Sequence, residues 1–176
     1  NAFIGSESDI SLAAFSATDE VRIKSATGIV SAGSAVVTGS DLILEAGSGS
    51  IGSSTNVIKT NQTPTGSVTA RATNDIYLTE TVGNMNIATL FSQSAGVYLT
   101  TLAGSIVDGL DHDFEKIRAN KIVFNAIGGG IGETNDFLET NLNSATGTLK
   151  ATAANNIFIA ETLGNMNVDT ITSTAG

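Results

Sequence analysis

An internal repeat constrains the fold of this chain more than any other feature. The segment 65–92, TGSVTARATNDIYLTETVGNMNIATLFS, returns as 146–173, TGTLKATAANNIFIAETLGNMNVDTITS, with about half of the positions identical. Most other positions exchange similar residues, as Tyr77 does with Phe158. The match extends upstream, so the module repeats after about 80 residues, with copies at 41–96 and 121–176.

A shorter period of about 19 to 20 residues lies within the module, as two columns of aliphatic residues offset by half a period. Each turn of the chain therefore supplies at least two short strands. Units too small to bury their own apolar face can bury it by stacking on their neighbours. We predict an all-β protein, a single-domain β-solenoid over residues 1–176 with about nine rungs. The columns are Leu12, Val30, Ile51, Val68, Ile87, Ile106, Ile131, Leu149 and Val168, and Val21, Leu42, Val57, Ile76, Val97, Ile122, Phe137 and Ile157.

Short alternating segments separated by Gly, Asn, Ser and Asp favour strands and tight corners. In Asp75 to Thr79, for example, Ile76 and Leu78 should point inward and Tyr77 outward. Only Leu110 to Asn120, LDHDFEKIRAN, has a pattern that suits one or two helical turns. The period lengthens there to about 25 residues, which indicates a corner insertion near 110–120. Such an insertion is either a binding loop or a solvated bridge between rungs.

The charge balance argues against several classes of partner. Eight basic and seventeen acidic residues give a net charge of −9, so we expect neither nucleic acid nor an anionic membrane surface as a partner. No run of about eighteen apolar residues is present that could span a bilayer. The chain begins at Asn1 without an export signal, which we interpret as an excerpt from a longer protein.

Acidic residues in the insertion form a weak candidate calcium site, because calcium accepts six to eight oxygen ligands in loose geometry. The candidates are Asp108, Asp111, Asp113 and Glu115. The alternative is an ordinary solvated loop. With His112 as the one histidine and no cysteine, a zinc site is not expected, and we predict no other cofactor.

Amides and carboxylates recur at equivalent corners of the two copies. We predict that Asn84, Asn86, Asn165 and Asn167 satisfy backbone groups at the corners rather than bind a ligand. Glu80 and Glu161 also recur, about four rungs apart, and should be polar corner residues that do not meet.

Two tyrosines lie one period apart on the outer face. Tyr77 and Tyr98 should stack on adjacent rungs, either as ordinary packing or as a small platform for a sugar.

The phrases DIYLTETVGNMNIATL, AGSIVDG and LILEAGSGSIG resemble the repeats of filamentous haemagglutinin-like exoproteins, which are large bacterial surface proteins. The resemblance covers nearly the whole chain from Asp9 onward. It implies a right-handed parallel β-helix, export by a two-partner route and a place in an extended adhesin or fibre. The secretion domain and the RGD motif of that family are not found in this sequence.

Function is therefore expected to be structural and adhesive rather than enzymatic, in a secreted or cell-surface rod. Glycans, cell-surface receptors or further copies of the chain are the expected partners. A polysaccharide lyase or hydrolase is the main alternative, although Arg22, Arg71 and Arg118 are scattered in the sequence. An ice-binding protein lacks support because no T-x-T ladder persists between rungs. A phage tail-spike segment ranks lower still.

Overall fold

The structure is a computed structural model that describes residues 1–34 and 36–175. The described residues form nineteen short β-strands and contain no helix. The strands are β1 (Ala2–Ser6), β2 (Ile10–Leu12), β3 (Phe15–Ser16), β4 (Val21–Ser25), β5 (Ile29–Ser31), β6 (Val36–Gly39), β7 (Leu42–Ala46), β8 (Ile58–Gln62), β9 (Val68–Ala72), β10 (Ile76–Glu80), β11 (Met85–Ser92), β12 (Gly96–Thr101), β13 (Ile106–Asp108), β14 (Ile117–Ala119), β15 (Lys121–Ala126), β16 (Leu138–Leu142), β17 (Thr148–Ala153), β18 (Ile159–Glu161) and β19 (Val168–Ser173).

Parallel strands from successive turns stack into two long sheets. Sheet 1 has nine strands in the order β1-β4-β7-β9-β11-β14-β16-β18, with β13 also paired to β11. Sheet 2 has eight strands in the order β3-β6-β8-β10-β12-β15-β17-β19, and β2 pairs with β5 separately. The chain thus forms a β-solenoid of about eight turns with about 21 residues each. The predicted solenoid is confirmed. The expected nine rungs are about one too many, because several corners are longer than the sequence columns assumed.

Alternation along each strand builds the core. In β10, Ile76 and Leu78 are buried while Tyr77 is partly exposed, as predicted. Side chains of this kind, stacked turn upon turn inside the coil, form one continuous hydrophobic cluster from Leu12 to Ala153. Burying each Ile, Leu or Val contributes roughly 1.5–3 kcal/mol. No single turn could bury these side chains alone, so the stack is the unit of stability.

Single bridges between isoleucines continue the parallel pairing at Ile51 and Ile131, which lie outside the regular strands. Single parallel bridges join Ile29 to Ile51 and Ile51 to Ile76. A second run joins Ile106, Ile131 and Ile157. Gly52 and Gly132, which follow Ile51 and Ile131, have φ of 70° and 64°. Since L side chains rarely adopt this conformation, glycine allows the chain to turn immediately after a buried isoleucine.

The two copies of the repeat lie on opposite sides of the solenoid. In the first copy β9, β10 and β11 belong to sheets 1, 2 and 1, whereas β17, β18 and β19 belong to sheets 2, 1 and 2. From β10 to β18 the chain crosses between the sheets seven times, which makes three and a half turns. Glu80 and Glu161 are therefore in different sheets. They are three and a half turns apart, rather than the four rungs that the sequence suggested.

Two members of the predicted columns are displaced by one residue. Ile58 and Leu138 are buried in the core, whereas the adjacent Val57 and Phe137 are partly exposed, with Phe137 at 42%. A shift of one residue reverses the face to which a strand residue points, so these two assignments were wrong. Val30 is also exposed rather than inward.

The corner insertion follows β13 and ends at β14. It has no helix, so the expected helical turns at Leu110 to Asn120 are wrong, and residues 117–119 form strand β14 instead. Phe114 is 75% exposed, while Ile117 is buried in the core. Among the described residues, no helix has the length and apolar character needed to cross a membrane.

Candidate functional site

A buried lysine organises the corner insertion. The Lys116 side chain is not exposed, and its Nζ lies 2.7 Å from the Asp108 carboxylate and 3.4 Å from that of Glu139. Nζ also donates to the carbonyl oxygens of Phe114, at 2.8 Å, and of His112. The sequence reasoning missed this residue, because a lysine among exposed acidic residues resembles an ordinary surface charge.

The candidate calcium ligands do not share one cage. Asp108 is buried beside Lys116, whereas Asp111 and Asp113 are exposed on the loop. Glu115 accepts a hydrogen bond from Asn141. Within residues 1–34 and 36–175, no group of three or more His, Cys, Asp or Glu side chains is placed to hold a metal ion. Calcium binding stays a prediction without a built site.

Burial raises the pKa of two carboxyl groups near Lys116. Desolvation raises the pKa of Glu139, and the neighbouring Lys116 opposes that rise. Desolvation, with the nearby charges of Asp108 and Asp111, also raises the pKa of Asp136. One buried ammonium thus serves several carboxylates, which suits a structural anchor for the loop.

The repeated asparagines lie at corners. Asn86 Nδ2 donates to the carbonyl oxygens of Pro64 and Gly66, at 3.1 and 2.8 Å. Asn167 repeats this pair, donating to Ala145 and Gly147 at 3.0 Å each. Asn84 Oδ1 accepts from the Ser105 backbone N–H at 2.9 Å, while Asn165 is exposed beside a surface concavity. Three of the four amides therefore bond to the backbone of a neighbouring turn.

Glu80 is buried rather than placed on a polar flank. Its carboxylate accepts hydrogen bonds from Thr60 Oγ1 at 2.8 Å and from the Gln62 backbone N–H at 3.2 Å. Desolvation raises the pKa of Glu80, and these hydrogen bonds oppose the rise. The second copy repeats both bonds, with Thr140 and the Leu142 backbone N–H donating to Glu161 at 2.8 and 2.7 Å. The repeated pair Glu80-Thr81 and Glu161-Thr162 therefore encodes a corner.

The outer tyrosines stack as predicted. The rings of Tyr77 and Tyr98 are 4.3 Å apart between centroids and nearly parallel, at 4°. Desolvation, followed by the charge of Asp75 and the neighbouring Tyr98, raises the pKa of Tyr77 to about 12. Each ring covers one face of the other, which reduces the aromatic surface open to a sugar.

Threonines form one column on sheet 2. Thr79, Thr100, Asn125, Thr152 and Thr172 are in register across five successive turns. The neighbouring outward column is mixed, with Tyr77, Tyr98, Val123, Lys150 and Thr170. The flat double row of threonines expected for ice binding is therefore limited to the last of these turns.

Two of the three scattered arginines, Arg71 and Arg118, align on sheet 1, which the sequence reasoning missed. Pairing between successive strands aligns one outward residue from each turn, and we call this set the arginine column. Its members are Lys24, Glu45, Arg71, Phe91, Arg118 and Asn141. The guanidinium carbons of Arg71 and Arg118 lie 5.2 and 5.4 Å from the centroid of the Phe91 ring. Phe91 thus lies between two cations that belong to the turns before and after its own.

Surface concavities follow the arginine column. One of about 340 Å³ is lined by residues including Lys24, Arg71 and Phe91. The next, of about 230 Å³, shares Arg71 and Phe91 and extends to Arg118. A third, of about 370 Å³, shares Arg118 and reaches Asn167. The three concavities therefore adjoin one another at Arg71, Phe91 and Arg118, and we call this series of concavities the groove.

Comparison of the chain with protein-family models, with curated proteins and with solved structures gave no match. The resemblance to haemagglutinin-like repeats thus stays a prediction, and the function must be inferred from the geometry.

Proposed function

We propose that this chain is a non-enzymatic structural and adhesive segment of a large secreted or cell-surface bacterial protein. It serves as an extended rod, and its outer faces bind cell-surface glycans. About eight turns at a strand spacing of ~4.8 Å give a rod roughly 40 Å long.

The continuous ladder of parallel strands carries this proposal. Both sheets run through the stacked turns, and the hydrophobic cluster follows them along the axis. Such a rod keeps its outward side chains in columns with the strand spacing of ~4.8 Å. Columns of this kind suit a long linear ligand, because each turn offers a further contact. The arginine column and its groove are the part of the surface best suited to this role.

Binding to a panel of polysaccharides tests the proposal. The chain is incubated with neutral and acidic polymers, with and without calcium, and both retention and the release of new reducing or unsaturated ends are scored. Retention without cleavage is expected. Cleavage of any polymer would replace the adhesive proposal by an enzymatic one, and failure to retain any polymer would leave only the role of a spacer.

A carbohydrate-active β-helix is the second candidate, and one observation favours it. Arg71 and Arg118 lie together in the groove, and Arg118 Nη1 is 3.9 Å from a carboxylate oxygen of Glu115. Basic and acidic groups in a groove are what cleavage of an acidic polysaccharide would require. The release of new chain ends in the same experiment separates the two functions.

A further inference from the structure

Arg71 has hydrogen-bonding capacity that the protein leaves unused. Its guanidinium packs against the Phe91 ring, and no ion pair to Arg71 exists among the described residues. A guanidinium carries five donors in a planar fork that matches a carboxylate. The contact with the Phe91 ring orients the guanidinium of Arg71 without using its N–H donors. Arg71 is therefore held in place for an anionic ligand.

Arg118 provides a second cation from the other side of the ring. Its Nε donates to Asn143 Oδ1 at 2.5 Å, which fixes the side chain along the groove. The contact with Glu115 is long, at 3.9 Å, and the Arg118 side chain is 48% exposed. Since β9 and β14 flank β11, the two arginines belong to turns about 10 Å apart. A ligand with regularly spaced negative charges can reach both.

The internal repeat shows that the fold does not need this arrangement. The equivalents of Arg71 and Phe91 in the second copy are Thr152 and Thr172, which pair in the same way between β17 and β19. The core and the corners are repeated, while the arginine and the phenylalanine are not. This difference points to a role in binding rather than in folding.

The surroundings favour a polysaccharide over other polyanions. The chain has a net charge of −9, which opposes tracking of a nucleic acid backbone. Beside the arginine column the groove is lined by Thr73, Thr89 and Gln93, whose hydroxyl and amide groups suit a ligand rich in hydroxyls. The strands beneath are paired on both sides, so an acidic peptide finds no free strand edge to extend.

We propose that the groove around Arg71, Phe91 and Arg118 binds a linear polysaccharide that carries carboxylates, such as a polymer of uronic acids. This inference rests on the proposed adhesive function and specifies its ligand class. The two guanidiniums bind carboxylates about 10 Å apart along the polymer, and Phe91 is a positioning residue that keeps the guanidiniums apart.

Polygalacturonate and its methyl-esterified form are the matched probes, because they share a backbone and differ in charge. The chain should retain the free acid and lose retention upon esterification. Arg71→Thr, which copies the second repeat, should weaken binding of the acid about tenfold or more, as expected for loss of a charge-assisted bidentate contact. Arg118→Gln should act similarly. Phe91→Thr should weaken binding less than either arginine variant.

Lys150→Thr is the matched control, because Lys150 is exposed on sheet 2 and its equivalent in the first copy is Thr69. It removes the same charge as Arg71→Thr and should change affinity by less than about twofold. Thermal unfolding of each variant verifies the fold.

Equal losses in Lys150→Thr and Arg71→Thr would overturn the proposal, since net charge alone would then decide binding. Equal retention of the methyl ester or of dextran sulfate would overturn the choice of a carboxylate ligand. Arg71-dependent retention of poly-glutamate in preference to polygalacturonate would assign the groove to acidic peptides. If only neutral glycans are retained, the adhesive function stands and this inference fails. If no polysaccharide is retained, both fail.

Discussion

The ammonium of Lys116 lies 2.7 Å from the carboxylate of Asp108, and neither side chain is exposed to solvent. Asp108 ends strand β13 and Lys116 immediately precedes β14, so this ion pair joins the two ends of the corner insertion. The loop between them is exposed and contains Asp111, Asp113 and Phe114. The buried pair therefore closes the loop over the solenoid.

Lys116→Met should destabilise the protein by about 3–5 kcal/mol, because it leaves Asp108 and Glu139 buried without their cation. Chemical denaturation measures this change. Lys121→Met, at an exposed lysine nearby, should alter stability by less than about 0.5 kcal/mol. Adding Asp108→Asn to Lys116→Met should recover part of the loss. Equal stability of Lys116→Met and the wild type would contradict the structural role of the pair.

Glu80 should make stability depend on pH. Burial raises its pKa above the ordinary value of 4.5, so the folded state binds the proton more tightly than the unfolded state. The free energy of unfolding should then fall as pH rises from about 4.5 through the raised pKa, by at most about 1.4 kcal/mol per pH unit for this group.

Glu80→Gln should flatten that part of the slope, as measured by unfolding between about pH 4.5 and 7.5. Glu7→Gln, at an exposed position, changes the net charge equally and should leave the slope in place. An unchanged slope in Glu80→Gln would refute the assignment.

Two glycines with positive φ should differ in their tolerance of alanine. At Gly132 an added Cβ would overlap the carbonyl oxygen of Phe158 on the next turn, whereas at Gly83 it would meet no atom within 4 Å. Gly83→Ala should cost about 1–2 kcal/mol from backbone strain alone. Gly132→Ala should cost about 2–5 kcal/mol, because steric overlap adds to the strain. Similar melting temperatures for the two variants would contradict the close contact between turns.

The last turn should promote self-association. Strands β18 and β19 are at the edges of sheets 1 and 2, and Val168 and Ile171 in β19 are 51% and 45% exposed. Exposed strand edges and apolar groups favour pairing with another copy. Sedimentation should show association that grows with concentration, and Ile171→Lys should reduce it. Ile127→Lys, at an exposed corner, is the control and should have little effect. A monomer at all concentrations would count against end-to-end assembly.

Much of the fold follows from local patterns. Alternation of apolar and polar residues correctly predicted the inward Ile76 and Leu78 and the stacked Tyr77 and Tyr98. Alternation alone assigned the wrong residues to the core where the length of a corner decided which residue points inward. At Ile58 and Leu138 a slip of one residue exchanged buried and exposed positions, because the period of a strand is two.

The sequence by itself determined that the chain repeats, that each turn is too small to bury its own apolar face and that the turns must stack. The tertiary structure alone decided which outward residues meet. Arg71, Phe91 and Arg118 are 20 and 27 residues apart in sequence and align because corners of unequal length still bring β9, β11 and β14 into register. Likewise, Lys116 is buried only because the insertion folds back over it. Hydrophobic alternation selects the face of a residue, whereas register between turns depends on hydrogen bonds between strands distant in sequence.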